Sequence, residues 1–300
     1  MTVNHLLNIA DLELHQINKI LALSSQSVNS LNTPLQGQGV ALLFEKPSNR
    51  TRHSMEIAVM QLGGYSVYTR GEEIGLDVRE SVEDVTKTLC GYHSVIAARV
   101  FKHSFVERMA EVSTTPIINM LSDFSHPLQA FADALTMTEH VGALSEITVA
   151  WVGDYNNVAR SLAEIVLISG GRIQLGCPVG YDASRAEIGR LEALGGSVEQ
   201  IDNARDAVVG ADVVHTDTWI SMGQEDESTR RRKIFADFCV TPSLMAGANS
   251  DAKFMHCMPA HRGEEVSAQV FDGAASLVFQ QGHNRLHSAR GVLAYLMGAQ

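Results

Sequence analysis

Cysteine is scarce and scattered in this chain: Cys90, Cys177, Cys239 and Cys257 are the only four among 300 residues, and none forms a CxxC pair. That spacing gives neither a disulfide framework nor a zinc pattern, so a reducing compartment fits. Positive charge is also in short supply, with 23 Lys and Arg against 34 Asp and Glu and a formal net charge of −11. Without a basic tail, such a chain is a poor partner for nucleic acid or an anionic membrane. Its one basic run, Arg230-Arg231-Arg232-Lys233, follows Glu225, Asp226 and Glu227 and reads as a solvated helical face. Long apolar stretches are missing, and the first residues lack the basic-then-apolar order of a secretory leader. A cytoplasmic protein is expected. The dinucleotide fingerprint G-x-G-x-x-G is absent as well, which lowers the nicotinamide-enzyme reading.

What the chain does have is alternation. Short apolar runs rich in β-branched residues recur at 40–44, 67–69 and 95–98, then at 147–152, 173–175 and 213–214, with amphipathic stretches between them. This predicts an α/β fold of two lobes, each a mainly parallel sheet flanked by helices, and the length suits two ordinary domains. Between the two series, Leu128, Phe131, Ala132 and Leu135 fall on one face of a helix that connects the lobes and ends at Val141-Gly142. The expected division is a first domain over 1–141, a second over 142–282, and a closing segment over 283–300. That last segment has Leu286, Ala289, Leu293 and Leu296 at helical spacing and should pack back on the first domain.

Chemistry concentrates where strands give way to helices. The first run is followed by Glu45-Lys46-Pro47-Ser48-Asn49-Arg50-Thr51-Arg52, then a helix with Met55, Val59 and Leu62 on one face and a stop at Gly63-Gly64. Unpaired N–H groups, the helix dipole, hydroxyls and guanidinium groups would meet there, which suits a phosphate. Taken alone, the same residues describe a serine cap with surface arginines. Arg99 closes the third run, and His126-Pro127-Leu128-Gln129 opens the connecting helix, again at strand-to-helix junctions where ligands of open sheets gather. In the second half stand Gly153-Asp154-Tyr155-Asn156-Asn157, Asp217-Thr218-Trp219-Ile220-Ser221-Met222-Gly223, His256-Cys257-Met258-Pro259 and Asn284-Arg285-Leu286-His287.

In that order these elements resemble the aspartate and ornithine carbamoyltransferase family. Phe44, Lys46, Ser48, Arg50 and Thr51 fit its F-x-[E/K]-x-S-[G/T]-R-T signature, while Asn49 departs from it. His126 to Gln129 matches H-P-x-Q, residues 217–223 match the ornithine-type D-x-W-x-S-M-G, and residues 284–287 match N-R-x-H. Met258 replaces the leucine of H-C-L-P, a swap of similar volume. The resemblance implies transfer of a carbamoyl group from carbamoyl phosphate to the δ-amine of L-ornithine in arginine biosynthesis, by a homotrimer or a multiple of trimers, with no metal and no organic cofactor.

By the same resemblance, carbamoyl phosphate would be held by Ser48, Asn49, Arg50, Thr51, Arg99, His126, Gln129, Cys257, Met258 and Arg285. Ornithine would be held by Asn157, Asp217, Ser221 and Met222, with Asp217 on the α-ammonium. Arg99, His126 and Cys257 would be catalytic. Arg50, Thr51, Arg99 and His126 would surround the carbamoyl oxygen, and Gln129 would hold the nitrogen. An ordinary amine has a pKa of about 10.4, so the neutral nucleophile must be selected or deprotonated on the protein. Cys257 stands either as that base or as an orienting group. Two alternatives stay open: a sister transferase for putrescine, lysine or an N-acylated ornithine, and a non-catalytic paralogue. Asn49 suggests the paralogue, as does Glu73, which stands where many family members have glutamine.

Overall fold

In the computed structural model, which describes residues 4–220 and 225–299, the first apolar run forms β1 (Gly39–Phe44), and all six of its residues are buried. A strand with no solvated face needs cover on both sides, the condition of a parallel sheet flanked by helices. β1 pairs in parallel with β2 (Tyr65–Arg70) and β3 (Val95–Arg99), and β3 pairs with β4 (Ile117–Leu121), giving the order β2-β1-β3-β4. The accompanying helices are α1 (Leu14–Ser25), α2 (Asn49–Gln61), α3 (Gly71–Ile74), α4 (Val82–Cys90) and α5 (His103–Val112). After β4 comes α6 (Pro127–His140).

A second parallel sheet has the order β7-β6-β5-β8-β9, from β5 (Thr148–Val152), β6 (Arg172–Gly176), β7 (Ser197–Ile201), β8 (Val213–Thr216) and β9 (Lys253–His256). It is accompanied by α7 (Asn157–Ile168), α8 (Arg185–Glu192), α9 (Ala204–Ala207), α10 (Ser228–Ile234), α11 (Pro242–Met245) and α12 (Ala268–Phe271). The chain ends in α13 (Val278–Leu296). Contacts divide the molecule into two compact units, Met1–Ala132 with Asn284–Gln300, and Asp133–His283. Both boundaries fall inside helices, one in α6 and one in α13.

The fold is the α/β class expected, and each of the six apolar runs falls on a strand, with only Ile147 standing one residue before its strand. Three strands carried no such run. β4 is interrupted by the buried Asn119, β7 is a half-exposed edge strand with Glu199 and Gln200, and β9 is four residues long. Helix α6 shows no amphipathic face: residues 127–137 are buried on every side, so its apolar stripe is one part of a wholly enclosed helix. In α13 the expected stripe is displaced. Leu286 and Leu296 are only half-buried, whereas Arg285, Ser288, Ala289, Val292 and Leu293 form the buried face.

Polar anchors and a close approach account for that displacement. Arg290 donates to Gln61 Oε1 at 2.9 Å and to the Gln26 carbonyl at 2.9 Å, just past the end of α1. At Gly291 a Cβ would lie 2.1 Å from Ser24 Oγ and 2.8 Å from the Ile20 carbonyl, so only glycine lets α1 and α13 approach this closely. The basic run of α10 also departs from expectation. Arg230, Arg232 and Lys233 are exposed, but Arg231 is buried because it has partners in the interior, described below.

Each sheet changes its direction of strand addition once. In the first, the chain leaves β1 toward β2 and then crosses to β3; in the second it leaves β5 toward β6 and β7 and then crosses to β8 and β9. The carboxyl ends of β1 and β3, and of β5 and β8, therefore open crevices where a ligand can meet several loops. The candidate residues collect at these two places.

Candidate active site

In the first unit, the segment after β1 turns straight into α2. Ser48 is the N-cap, with extended φ of −158° and ψ of 112°, and its Oγ accepts from the Thr51 amide at 3.3 Å. The cap expected from sequence is therefore present, and it aims the first turn of α2 at the end of the strand. Asn49 and Arg50 are the first two residues of that turn. Thr51 is buried, and its Oγ1 accepts from Arg285 Nη2 at 3.1 Å. Arg52 faces away from the cap: its Nε donates to Glu56 Oε1 at 2.9 Å and its guanidinium lies 3.8 Å from the Tyr68 ring centroid.

Three further elements bring charge and hydrogen-bonding capacity to the same unit. Arg99 ends β3 at a register shift beside Ala98, and its carbonyl accepts from the Glu45 amide at 2.9 Å. A tight turn leads from β4 to α6, with the Ser125 carbonyl accepting from the Ser122 amide at 2.9 Å and from Asn119 Nδ2 at 3.3 Å. That turn presents His126 directly before Pro127, the first residue of α6, where a missing N–H costs nothing. One helical turn on, Gln129 Oε1 accepts from Arg285 Nη1 at 2.5 Å. Arg99, His126, Gln129 and Arg285 are all buried.

This setting dictates the state of His126. Burial, followed by repulsion from Arg285 and Arg99, holds its pKa well below the ordinary histidine value. The ring is neutral at physiological pH and adds hydrogen bonding without adding charge. Lys46, lowered by burial and by Arg99, stacks its amine 4.2 Å from the Phe101 ring centroid. Buried guanidinium groups in the unit that holds this helix N-terminus suit it to an anion.

In the second unit, Asp217 lies just beyond β8. Its Oδ2 accepts from Asn156 Nδ2 at 2.9 Å, and its Oδ1 accepts from the Thr218 amide at 2.8 Å and from Cys257 Sγ at 3.0 Å. Asn156, not Asn157, caps α7: its Oδ1 accepts from the Val158 and Ala159 amides at 2.9 and 3.0 Å. Asn157 is the first helical residue and half-buried. One asparagine thus fixes a helix start with its carbonyl and a carboxylate with its amide. Sequence reasoning missed it, although a cap is what an Asn just ahead of a helix supplies.

Cys257 follows β9 and is half-buried, and Met258 after it has a φ of +57° and a cis bond to Pro259. The Met258 amide donates to His256 Nδ1 at 2.9 Å, while His256 Nε2 lies 3.1 Å from Glu265 Oε1, both side chains being fully buried. Asp217, His256 and Cys257 bring ligand-type atoms within 4.8 Å of one another, as do His261, Glu264 and Glu265. With both ring nitrogens of His256 engaged, the first trio is arranged around hydrogen bonds.

Arg231 explains its own burial. Its Nε donates to the Trp219 carbonyl at 2.6 Å, its Nη2 is hydrogen-bonded to Asp154 Oδ2, and its guanidinium lies 4.7 Å from the Tyr181 ring centroid. Burial raises the Asp154 pKa and Arg231 opposes that rise. The guanidinium therefore ties the segment after β8 to the loop after β5. Ser221 and Met222, expected to hold the amino acid, lie outside the described residues.

The comparisons with known proteins bear on both units. The carbamoyl-P binding domain model of the aspartate/ornithine carbamoyltransferases matches residues 4–139, and the Asp/Orn binding domain model matches residues 145–296. The chain belongs to this family. Among carbamoyltransferase relatives, the ornithine carbamoyltransferase of Hyperthermus butylicus is 46% identical over 268 residues, covering 88% of this chain and 85% of the relative. The anabolic ornithine carbamoyltransferase of Pyrococcus furiosus is 43% identical over 277 residues, covering 91% and 88%. The solved structure of ornithine carbamoyltransferase from Pyrococcus furiosus superposes with a TM-score of 0.92 at 41% identity, covering 98% of this chain and 97% of that one.

Proposed function

We propose that this chain is an ornithine carbamoyltransferase: it moves the carbamoyl group of carbamoyl phosphate to the δ-amine of L-ornithine, releasing L-citrulline and phosphate, in arginine biosynthesis. The observation that carries the reading is Asp217, a carboxylate fixed by Asn156 and Cys257 inside the ornithine-type motif. An α-ammonium group pairs naturally with such a carboxylate.

Domains 1–141 and 142–282 take carbamoyl phosphate and ornithine respectively, with 283–300 returning to the first. Ser48, Asn49, Arg50, Thr51, Arg99 and Arg285 hold the phosphate and carbamoyl oxygens. Arg99 and neutral His126 polarise the carbonyl as the amine adds, stabilising the charge that develops on oxygen. Gln129, whose Oε1 accepts from Arg285, holds the carbamoyl nitrogen. Asn157, Asp217, Ser221 and Met222 hold the amino acid. Cys257 and Met258 complete the carbamoyl-phosphate set, and the Cys257 thiol orients the amine or takes its proton. No metal or organic cofactor takes part in this scheme.

The protein works in the cytoplasm as a homotrimer or a multiple of trimers. Supporting the assembly, Ile57 and Met60 of α2 and Tyr65 and Val67 of the edge strand β2 expose apolar side chains on neighbouring elements, a surface of the kind that subunit contacts cover. Among the described residues, no helix is long and apolar enough to cross a membrane.

The test is citrulline formation from carbamoyl phosphate with ornithine, putrescine, lysine, N-acetylornithine and aspartate as parallel acceptors. Strong preference for ornithine is expected. Preference for another acceptor would keep the family and move the specificity, and absence of turnover despite carbamoyl phosphate binding would leave a ligand-binding paralogue.

A further inference from the structure

Beneath the loop that carries Cys257 lies a polar cluster that the scheme above does not use. Asp133 of α6, His215 of β8, His256 of β9 and Gln281 of α13 are 0, 0, 0 and 1% exposed. The Gln281 carboxamide is their hub. Its Oε1 accepts from the His256 amide at 2.9 Å, its Nε2 donates to Asp133 Oδ1 at 2.7 Å, and the same nitrogen lies 3.0 Å from His215 Nε2.

The orientation of this carboxamide is forced. A backbone N–H only donates, so the atom facing His256 is the oxygen, and the nitrogen faces Asp133 and His215. His215 Nε2 faces two partners, the Gln281 nitrogen at 3.0 Å and Asp133 Oδ2 at 3.4 Å, and its ring stacks 5.3 Å from that of Trp151.

The placement matters more than the bonds themselves. His215 stands two residues before Asp217 and His256 one residue before Cys257, on strands paired in parallel with Thr216 opposite His256. One carboxamide therefore anchors the ends of both strands that deliver the Sγ to Oδ1 contact of 3.0 Å. Apolar side chains would fill this interior at no desolvation cost, so a buried polar hub points to geometry as its purpose.

We propose that Gln281, seated on Asp133 and His215, is a positioning residue that sets the placement of the Cys257–Asp217 couple. The role in turnover rests on the ornithine carbamoyltransferase reading; the placement of the thiol does not.

Two variants and two readouts test it. Gln281→Leu removes both anchors, and kcat falls by about tenfold to a hundredfold, the usual cost of a misplaced catalytic group. The KM for carbamoyl phosphate moves by less than about threefold, because the loss falls on a step after its binding. The rate of Cys257 alkylation by iodoacetamide, followed by peptide mass mapping across pH, shifts its midpoint, since the thiol depends on its Asp217 contact.

Gln281→Glu keeps an acceptor for the His256 amide but needs a proton to bond Asp133, with His215 at its other side and the His256 ring held by Glu265. Its kcat relative to the unmodified protein is highest at low pH and declines as pH rises, and this variant decides the matter if Gln281→Leu does not fold. A kcat ratio independent of pH, together with an unchanged alkylation midpoint, would overturn the proposal. If the unmodified protein made no citrulline, the transferase reading would fall, and the alkylation shift alone would decide whether Gln281 places the thiol.

Discussion

Cys257 donates its thiol to the same Asp217 oxygen that accepts the Thr218 amide, while the other oxygen is held by Asn156. The carboxylate is thereby fixed at both of its oxygens.

Asp217→Asn keeps the shape and removes the charge. The KM for ornithine is expected to rise by about tenfold or more, matching the roughly 1.5–3 kcal/mol of a hydrogen bond to a charged group. The dissociation constant of carbamoyl phosphate stays nearly constant. Calorimetric titration of carbamoyl phosphate, beside steady-state kinetics in ornithine, separates the two; equal losses would remove Asp217 from the ornithine site.

Arg231→Met strips Asp154 of its buried partner and frees the Trp219 carbonyl. Breaking one side of a buried pair costs about 3–5 kcal/mol. Burial already raises the Asp154 pKa, and losing Arg231 raises it further. A carboxylate whose folded pKa is raised destabilises the fold as pH climbs through the unfolded and then the folded value. The deficit in Tm against the unmodified protein is therefore larger at neutral pH than at acidic pH, and scanning calorimetry at both checks this. A deficit independent of pH would assign the loss to packing alone.

His126 should remain neutral where an ordinary histidine is half protonated, at a pH of about 6.5. Its folded pKa is depressed, so the stability tied to its neutral ring is complete above the unfolded value and is lost as pH falls toward the folded one. Nitrogen chemical shifts of ¹⁵N-histidine-labelled protein near that pH report the protonation directly. A half-protonated ring would remove the repulsion from Arg99 and Arg285 as a controlling influence.

Gly291→Ala pushes a methyl group into Ser24 and the Ile20 carbonyl. Overpacking of this kind costs about 1–3 kcal/mol. A lowered Tm is expected, and an unchanged one would mean that α1 and α13 separate freely.

Much of this was legible in the sequence because local chemistry and local structure agree there. Runs such as Val40-Ala41-Leu42-Leu43-Phe44 announce a doubly covered strand, and Ser48 ahead of Asn49 to Thr51 announces a capped helix. What escaped were features created by distant partners. Arg231 looked solvated because its neighbours are; its burial depends on Asp154, 77 positions away. Asn119 interrupts β4 because its amide donates to the Leu7 carbonyl, 112 positions earlier. Gln281 reads as an unremarkable helical glutamine until Asp133 is seen 148 positions earlier. No window of sequence holds both members of such pairs.

The first unit is discontinuous, joining Met1–Ala132 to Asn284–Gln300, and Arg285 reaches Thr51 across 234 positions. That arrangement imposes an order on synthesis. The strands and helices up to Ala132 can form as they leave the ribosome, but Thr51 and Gln129 lack the Arg285 guanidinium until the whole of Asp133–His283 has been translated. The half of the molecule made first is thus the half completed last, and a chain interrupted within the second unit would present the cap of Ser48 without the arginine that finishes it.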